Sequence, residues 1–157
     1  MDFSFIIQRF KIIGQDKTSM TKDFLYNFIK KHKYGVLSTV SVDNAPQSAY
    51  VAIAVTPDLK IIFDTVSDSR KYKNILIHSA ISLVIGWDNE QTVQYEGTAK
   101  IPDSSELEKL LIYFTAFPDG KIRKDTFKNI GYVCVEPKWI RYSDFNDTTS
   151  TIEEMKF

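Results

Sequence analysis

Residues 34–65 read YGVLSTVSVDNAPQSAYVAIAVTPDLKIIFDT, and three runs of strand-forming residues alternate there with turn residues. Valine, isoleucine, threonine and tyrosine are frequent in Tyr34–Val42, in residues 47–56 and in residues 61–65, and such residues favour strands. Proline, asparagine and aspartate separate the runs and provide turn chemistry. Three strands joined by short turns predict an antiparallel meander.

Helices and further strands flank this segment. Residues 21–33 are predicted as a helix, because Thr21 is a suitable N-cap and apolar residues follow at helical spacing: Phe24, Leu25, Phe28 and Ile29. The other predicted elements are a helix over residues 69–78 capped by Ser67 or Asp68, strands over residues 80–87 and 91–101, a helix that starts at the capping box of Asp103 and Glu106, and a strand over residues 130–142. Six strands linked mainly by hairpins predict a mainly β fold with peripheral helices, an antiparallel barrel rather than a parallel sheet.

Length, charge and hydropathy limit the class of protein. The 157 residues suit one domain, with a core over about residues 21–143, an N-terminal arm over residues 1–20 and an acidic tail over residues 144–157 that is predicted to be frayed. Twenty basic and twenty acidic residues cancel, so the chain lacks the global positive field that favours nucleic acid. We find no signal-peptide pattern and no run of about 20 apolar residues, which predicts a cytoplasmic protein that does not cross a membrane.

One cysteine and two histidines give a zinc site little support. Cys134 lies in the apolar run Tyr132–Val135, which predicts a buried strand thiol. His32 and His78 each lie near the end of a predicted helix, where a positive charge is favourable. Cys134 is therefore interpreted as structural, and placement at a helix end explains the two histidines as well as a catalytic role does.

The segment Asp64–Lys71, DTVSDSRK, carries the best signal for a binding site. A strand ends there, and a helix opens with two adjacent cations. The unpaired N–H groups of a helix start, the cations Arg70 and Lys71 and the hydroxyls of Thr65 and Ser69 together suit a phosphate monoester. A solvated helix start with surface cations is the alternative. A second basic group is interpreted as a solvated loop: Lys121, Arg123 and Lys124.

The order and spacing of several segments resemble the pyridoxamine 5′-phosphate oxidase-like proteins, a family of FMN-binding split barrels. These segments are YGVLSTV at residues 34–40, NAPQS at 44–48, IFDT at 62–65, SRK at 69–71, AISLVI at 80–85 and VQYEGTA at 93–99. The similarity covers residues 21–143 and includes the family's FMN-phosphate motif. It therefore favours a phosphate site over a solvated helix start.

This resemblance implies a six-stranded antiparallel split barrel that forms a homodimer, with FMN in a groove at the subunit interface. It implies that Arg70 and Lys71 contact the flavin phosphate. The hydroxyls of Thr65 and Ser69 would help them, and Asp64 belongs to the same motif. The phosphate end of the flavin would thus lie at the start of the second helix.

The resemblance also implies contacts to the flavin ring. The second strand would run along the ring and donate backbone hydrogen bonds from the segment Ser48, Ala49, Tyr50 and Val51. Gln91 or Thr92 would supply a polar contact to the ring. Trp139 resembles a late-strand aromatic residue that reaches the flavin of the partner subunit.

Two departures from the family's oxidase bear on function. Ala49 stands where the oxidase has an arginine, and the oxidase's C-terminal substrate motif is absent, so we do not expect oxidation of vitamin B6. The chain instead resembles short members of the general-stress-protein type. The resemblance implies a flavin-dependent oxidoreductase acting on an unidentified small molecule. The alternatives are a non-catalytic flavin-binding or sensing protein and a haem-binding relative, for which His32 and His78 are the available axial ligands.

Overall fold

The computed structural model describes residues 20–119, 122, 126, 128–146 and 150–157, without the side chains of residues 104 and 107. The predicted arm before residue 20 and the second basic group at Lys121, Arg123 and Lys124 lie outside these residues. The elements, in chain order, are α1 (Lys22–His32), β1 (Tyr34–Val40), β2 (Pro46–Ala52), β3 (Ala54–Val55), β4 (Ile61–Val66), α2 (Arg70–Ile77), β5 (Ala80–Ile85), β6 (Gln91–Lys100), α3 (Leu107–Ala116), β7 (Ile130–Asp144) and β8 (Thr151–Lys156).

The strands form one antiparallel sheet in the order β2-β1-β5-β6-β7-β4-β3, and β8 pairs with β7. The two ends of this order, β2 and β3, are one stretch of chain interrupted only at Ile53. The Ile53 N–H leaves the ladder and donates to the Lys33 carbonyl at 2.8 Å. The predicted second strand therefore pairs first with β1 and then with β4, which brings the sheet ends together and curls the sheet into the expected barrel.

Every second side chain along a strand of the barrel points into the core, as the alternation of apolar and polar residues in the sequence predicts. Val93, Tyr95 and Ala99 of β6 point inward, as their alternation predicts. The Tyr95 hydroxyl is buried within hydrogen-bond distance of two carbonyls, those of Leu59 at 2.9 Å and Val135 at 3.2 Å. Burial of this polar group is therefore compensated.

The helices cover the outside of the barrel. In α1, Thr21 caps the helix through its hydroxyl, and Leu25 and Ile29 are fully buried against the core, as predicted. The helix α3 packs over β4 and β7, where Tyr113 and Cys134 belong to a second apolar cluster. Cys134 is the predicted buried thiol, and burial raises its pKa to about 11.

The start of α2 differs from the prediction, because Ser69 caps the helix rather than Ser67 or Asp68. The Ser67 N–H donates to the Asn129 carbonyl at 2.7 Å. This bond extends the contact between the end of β4 and the residues before β7, so α2 starts further along the chain than predicted. The buried face of α2 also differs from the one that the helical spacing of Tyr72, Ile75 and Leu76 predicts, because Leu76 is 62% exposed whereas Asn74 is buried.

The prediction of a frayed C-terminal tail is wrong. Thr151–Lys156 forms β8, in which Thr151, Glu153 and Met155 alternate as half-buried residues with exposed ones. Met155 packs against the barrel core, and the Glu153 carboxylate accepts a hydrogen bond from the Met20 N–H at 3.0 Å. The acidic composition suggested disorder, but the alternation supports a strand.

Candidate functional site

Two hydroxyls join the end of β4 to the start of α2. The Thr65 and Ser69 hydroxyl oxygens lie 3.1 Å apart and are hydrogen-bonded. Ser69 also accepts the N–H of Tyr72 at 3.3 Å, which makes it the N-cap of α2. The predicted phosphate motif therefore forms a connected turn rather than a loosely solvated one.

A cavity of about 230 Å³ lies beside this turn. Its lining consists of Ser69, Arg70 and Lys71 at the α2 start, Thr39 in β1, and Gln47, Ser48 and Ala49 in β2. The structure thus brings the predicted phosphate residues together with the first two predicted residues of the flavin-ring segment. None of the described residues that line the cavity is a carboxylate, and neither Arg70 nor Lys71 forms an ion pair with another described residue. Two cations at a helix N-terminus, in a cavity without a described carboxylate in its lining, suit a dianion.

A buried amide holds the wall of this cavity in place. Asn74 is 6% exposed, and its side-chain amide donates to the Thr39 hydroxyl at 3.0 Å and to the Gln47 side-chain carbonyl at 3.1 Å. These bonds tie α2 to β1 and β2, so the position of the two cations over β2 is set by Asn74. Sequence analysis missed these three residues, although a polar residue between the apolar residues of a short helix was the available signal for Asn74.

The rest of the predicted ring segment lies in β2 outside the cavity lining. Tyr50 is 62% exposed and stacks on Tyr34 with ring centroids 5.1 Å apart, whereas the Val51 side chain points into the core. The strand β2 is the end of the sheet order, so one of its edges is free of ladder pairing. Backbone groups along such an edge can hydrogen-bond a ligand. Asp64, the remaining residue of the motif, is half-buried in β4 opposite Tyr132 and does not line the cavity.

Gln91, Thr92 and Trp139 do not line the cavity, because β6 and β7 are separated from β2 by β1 and β5. The Gln91 amide donates to the Asp144 carboxylate at 2.8 Å. Hydrogen bonds lower the pKa of Asp144 to about 2. The bond from the Asn146 backbone N–H has the largest effect, and the bond from the Gln91 amide has the next largest. The Thr92 hydroxyl oxygen is buried and has no hydrogen-bond partner among the described residues. The bond to Asp144 uses only one of the two Gln91 amide N–H groups, so the other N–H and the side-chain carbonyl are available for a ring contact, whereas the Thr92 hydroxyl is enclosed.

The Trp139 side chain is held by the C-terminal strand. Its indole N–H donates to the Glu154 carboxylate of β8 at 3.2 Å, and Glu154 accepts from the Arg141 guanidinium at 2.9 Å. The same guanidinium lies over the indole ring, 5.1 Å from its centroid. Trp139 is therefore oriented by a strand that sequence analysis did not predict.

The two histidines lie apart from the cavity at the start of α2, and neither side chain lines it. His32 packs against the Phe28 ring, with ring centroids 4.4 Å apart, and lies 3.9 Å from the Asp88 carboxylate, and burial lowers its pKa. His78 follows α2 and donates its backbone N–H to the Asn74 carbonyl at 2.7 Å.

Within the described part of the chain, no group of three or more acidic, histidine or cysteine side chains could hold a metal ion. Among the same residues, no helix is long and apolar enough to span a membrane.

Comparison with solved structures identifies the fold. A haem-binding protein from Mycobacterium smegmatis superimposes with a TM-score of 0.73 at 14% identity; the match covers 87% of this chain but only 58% of that protein's chain. General Stress Protein 26 from Bacillus anthracis matches with a TM-score of 0.66 at 22% identity, over 87% of this chain and 98% of that one. A pyridoxamine 5′-phosphate oxidase-related, FMN-binding protein from Nostoc punctiforme matches with a TM-score of 0.60 at 10% identity, over 80% and 87% of the two chains. The common fold is the split barrel.

Comparison of sequences identifies the family. No curated protein matches the chain. The sequence pattern of pyridoxamine 5′-phosphate oxidase matches residues 21–143, the span over which the segments quoted above resemble it. On this match, the chain belongs to the pyridoxamine 5′-phosphate oxidase family.

Proposed function

We propose that this chain binds FMN, with the flavin phosphate in the cavity at the start of α2. The proposal rests on one observation. A single cavity is lined both by Ser69, Arg70 and Lys71 of the α2 start and by Ser48 and Ala49 of β2. A phosphate monoester carries nearly two negative charges near neutral pH and offers several acceptor oxygens. Two cations, a helix N-terminus and adjacent hydroxyls match that charge and those acceptors.

The ring of the flavin would lie outside this cavity, along the free edge of β2. Contacts from that edge use backbone groups, so they do not depend on the side chains of Tyr50 and Val51. Thr92 and Trp139 lie far along the sheet from β2, so a second chain would have to present them to the same flavin.

We therefore propose a homodimer with FMN at the interface. Exposed apolar side chains on the outer side of β1, β2 and β5 support this arrangement: Tyr34 is 41%, Tyr50 62% and Val84 41% exposed. Aromatic residues are enriched at protein interfaces, and an apolar patch of this kind marks an interaction surface. Contact through this face would place each chain's β6 and β7 near the other chain's β2.

With FMN bound, the chain would act as an oxidoreductase on an unidentified small molecule. The flavin would supply the electron-transfer chemistry. The protein's own groups would hold the phosphate, orient the ring and shape the access of the substrate. Because no side-chain acid or base is required for binding, a non-catalytic flavin sensor would use the same contacts, and turnover with a reduced nicotinamide donor distinguishes the two.

Titration of the purified protein with FMN tests the proposal. We expect saturable quenching of flavin fluorescence at micromolar protein and weaker binding of FAD, whose flavin phosphate is joined to an adenylate through a pyrophosphate bond. A parallel titration with haemin, monitored by its Soret band, covers the alternative suggested by the haem-binding neighbour. Saturable haemin binding without saturable FMN binding would overturn the proposal.

A further inference from the structure

We propose a second ligand site, in the cleft between α1 and α3, for a small organic carboxylate with an apolar body. This cleft holds a cavity of about 370 Å³ whose lining includes β3, one end of the sheet order. It shares no lining residue with the cavity at α2. The site is thus separate from the proposed flavin site.

The floor and one wall of the cavity are apolar. Ile53, Ala54 and Val55 form the floor and are each at most 5% exposed. Ile112 and Ala116 of α3 form the wall, where they pack against the second apolar cluster. Ligand cavities are typically of this kind, concave and largely apolar with a few polar groups, and start at about 300 Å³.

The polar groups at this cavity are cationic. Lys30 and Lys33 line it, and neither forms an ion pair with a residue in the described ranges. No acidic residue lines it either. The Lys30 ammonium lies over the Tyr26 ring, 5.3 Å from the centroid, and Tyr26 also lines the cavity. An apolar cavity with two cations at its mouth is complementary to an anion that carries a hydrophobic group.

Lys33 follows α1 in the left-handed conformation, with φ of 57°, and ends the helix. Lys30, Lys31 and His32 place further positive charge in the last turn of α1. Of these cations, Lys30 and Lys33 line the cavity.

The size of the cavity sets the size of the ligand. At about 30 Å³ for a water-sized group, the cavity takes roughly a dozen non-hydrogen atoms. A medium-chain fatty carboxylate or an aryl carboxylate has this size. Octanoate, with a carboxylate and a seven-carbon tail, is a suitable probe.

Titration of ¹⁵N-labelled full-length protein with octanoate tests the site. We expect saturable shifts of the amide signals of Ile53–Val55 and Ile112–Ala116, with a dissociation constant on the order of a millimolar or lower. Heptylammonium has the same seven-carbon tail and the opposite charge, so it should bind at least tenfold more weakly. Equal binding of the two probes, or no saturable shift at these amides, overturns the proposal.

Variants separate this site from non-specific binding and from the flavin site. The double variant Lys30→Gln/Lys33→Asn should weaken octanoate about tenfold, whereas Lys31→Gln, on the same helix turn but outside the lining, should leave it unchanged. Ala116→Phe should fill the cavity and also weaken octanoate. Arg70→Ala should bind octanoate as the unaltered chain does. Octanoate binding that is insensitive to Lys30, Lys33 and Ala116 contradicts the proposal, whatever the result with FMN.

Discussion

At the scale of single residues, Arg70 and Lys71 decide whether the α2 cavity is a phosphate site. Hydrogen bonds to charged groups contribute about 1.5–3 kcal/mol, so Arg70→Ala and Lys71→Ala should each weaken FMN binding about tenfold to a hundredfold in fluorescence titrations. Riboflavin lacks the phosphate and should bind the variants as it binds the unaltered chain. Lys73→Ala is the matched control, because Lys73 is an exposed cation of the same helix outside the cavity lining.

Comparison of the two flavins tells a phosphate contact from general damage. If riboflavin weakens as much as FMN, the cations act through structure and the phosphate assignment is wrong. If neither variant changes FMN binding, the two cations are ordinary surface charges at a helix start.

At Gly97 the barrel leaves no room for a side chain. It lies at the register shift between β6 and β7, and a Cβ there would come within 2.5 Å of the Glu136 carbonyl oxygen and 2.7 Å of a Val135 methyl carbon. Gly97→Ala should therefore lower the free energy of unfolding by about 1–3 kcal/mol in urea denaturation. Ser82→Ala, at an exposed position of β5, is the control, and equal stability of the two variants would contradict the prediction.

At the scale of elements, α2 is positioned by one buried amide. Asn74→Leu removes two hydrogen bonds and leaves the Thr39 hydroxyl oxygen and the Gln47 side-chain carbonyl without the donor that Asn74 supplies, so we expect a loss of about 1–3 kcal/mol in the free energy of unfolding. FMN affinity should fall as well, because the helix that carries Arg70 is no longer tied to β1 and β2. The double variant Thr39→Val/Asn74→Leu should regain part of the stability, since both partners are then apolar. No effect of Asn74→Leu on either measurement would show that α2 is held by its apolar contacts alone.

The C-terminal strand β8 is the element on which sequence and structure disagree most. Truncation after Asn146 removes the Met155 contact with the core, so we expect the free energy of unfolding to fall by about 1 kcal/mol or more. Loss of Glu154 also frees the Trp139 indole, and its fluorescence emission should shift to longer wavelength. A Trp87→Phe background assigns that emission to Trp139, since the chain has two tryptophans. Unchanged stability and emission would restore the view of the tail as frayed.

At the scale of the whole molecule, the proposed dimer predicts that each flavin site is shared between chains. Light scattering should give about twice the chain mass of 18.1 kDa. Mixing Arg70→Ala/Lys71→Ala chains with Thr92→Val/Trp139→Ala chains, after unfolding and refolding together, should restore FMN binding that neither variant shows alone. In the mixed dimer one site combines both defects and the other has none, so about a quarter of all sites should recover. A monomer, or no recovery in the mixture, would contradict a shared site.

Much of the barrel was predictable because its signals are local. The cap and stripe of α1 lie within nine residues, Thr21–Ile29, and the alternation of β6 lies within one strand, so helix and strand periods identify them without tertiary information. The motif Ser69-Arg70-Lys71 is contiguous, and a strand followed by a helix start with two cations predicts an anion site wherever it occurs. These features depend on backbone geometry between neighbours in the chain.

Tertiary structure determined the features that depend on contacts between distant segments of the chain. Thr39 and Gln47 face each other across β1 and β2, and Asn74 is hydrogen-bonded to both because the fold packs α2 against these strands. The strand β8 forms because it pairs with β7 and because Met155 packs against the core. Both contacts are made with distant parts of the chain, so the sequence of the tail alone does not specify them. Local periodicity predicts the helices and strands. Long-range pairing and packing determine which of their side chains lie in contact, and the candidate site consists of residues from three elements that are brought together in this way.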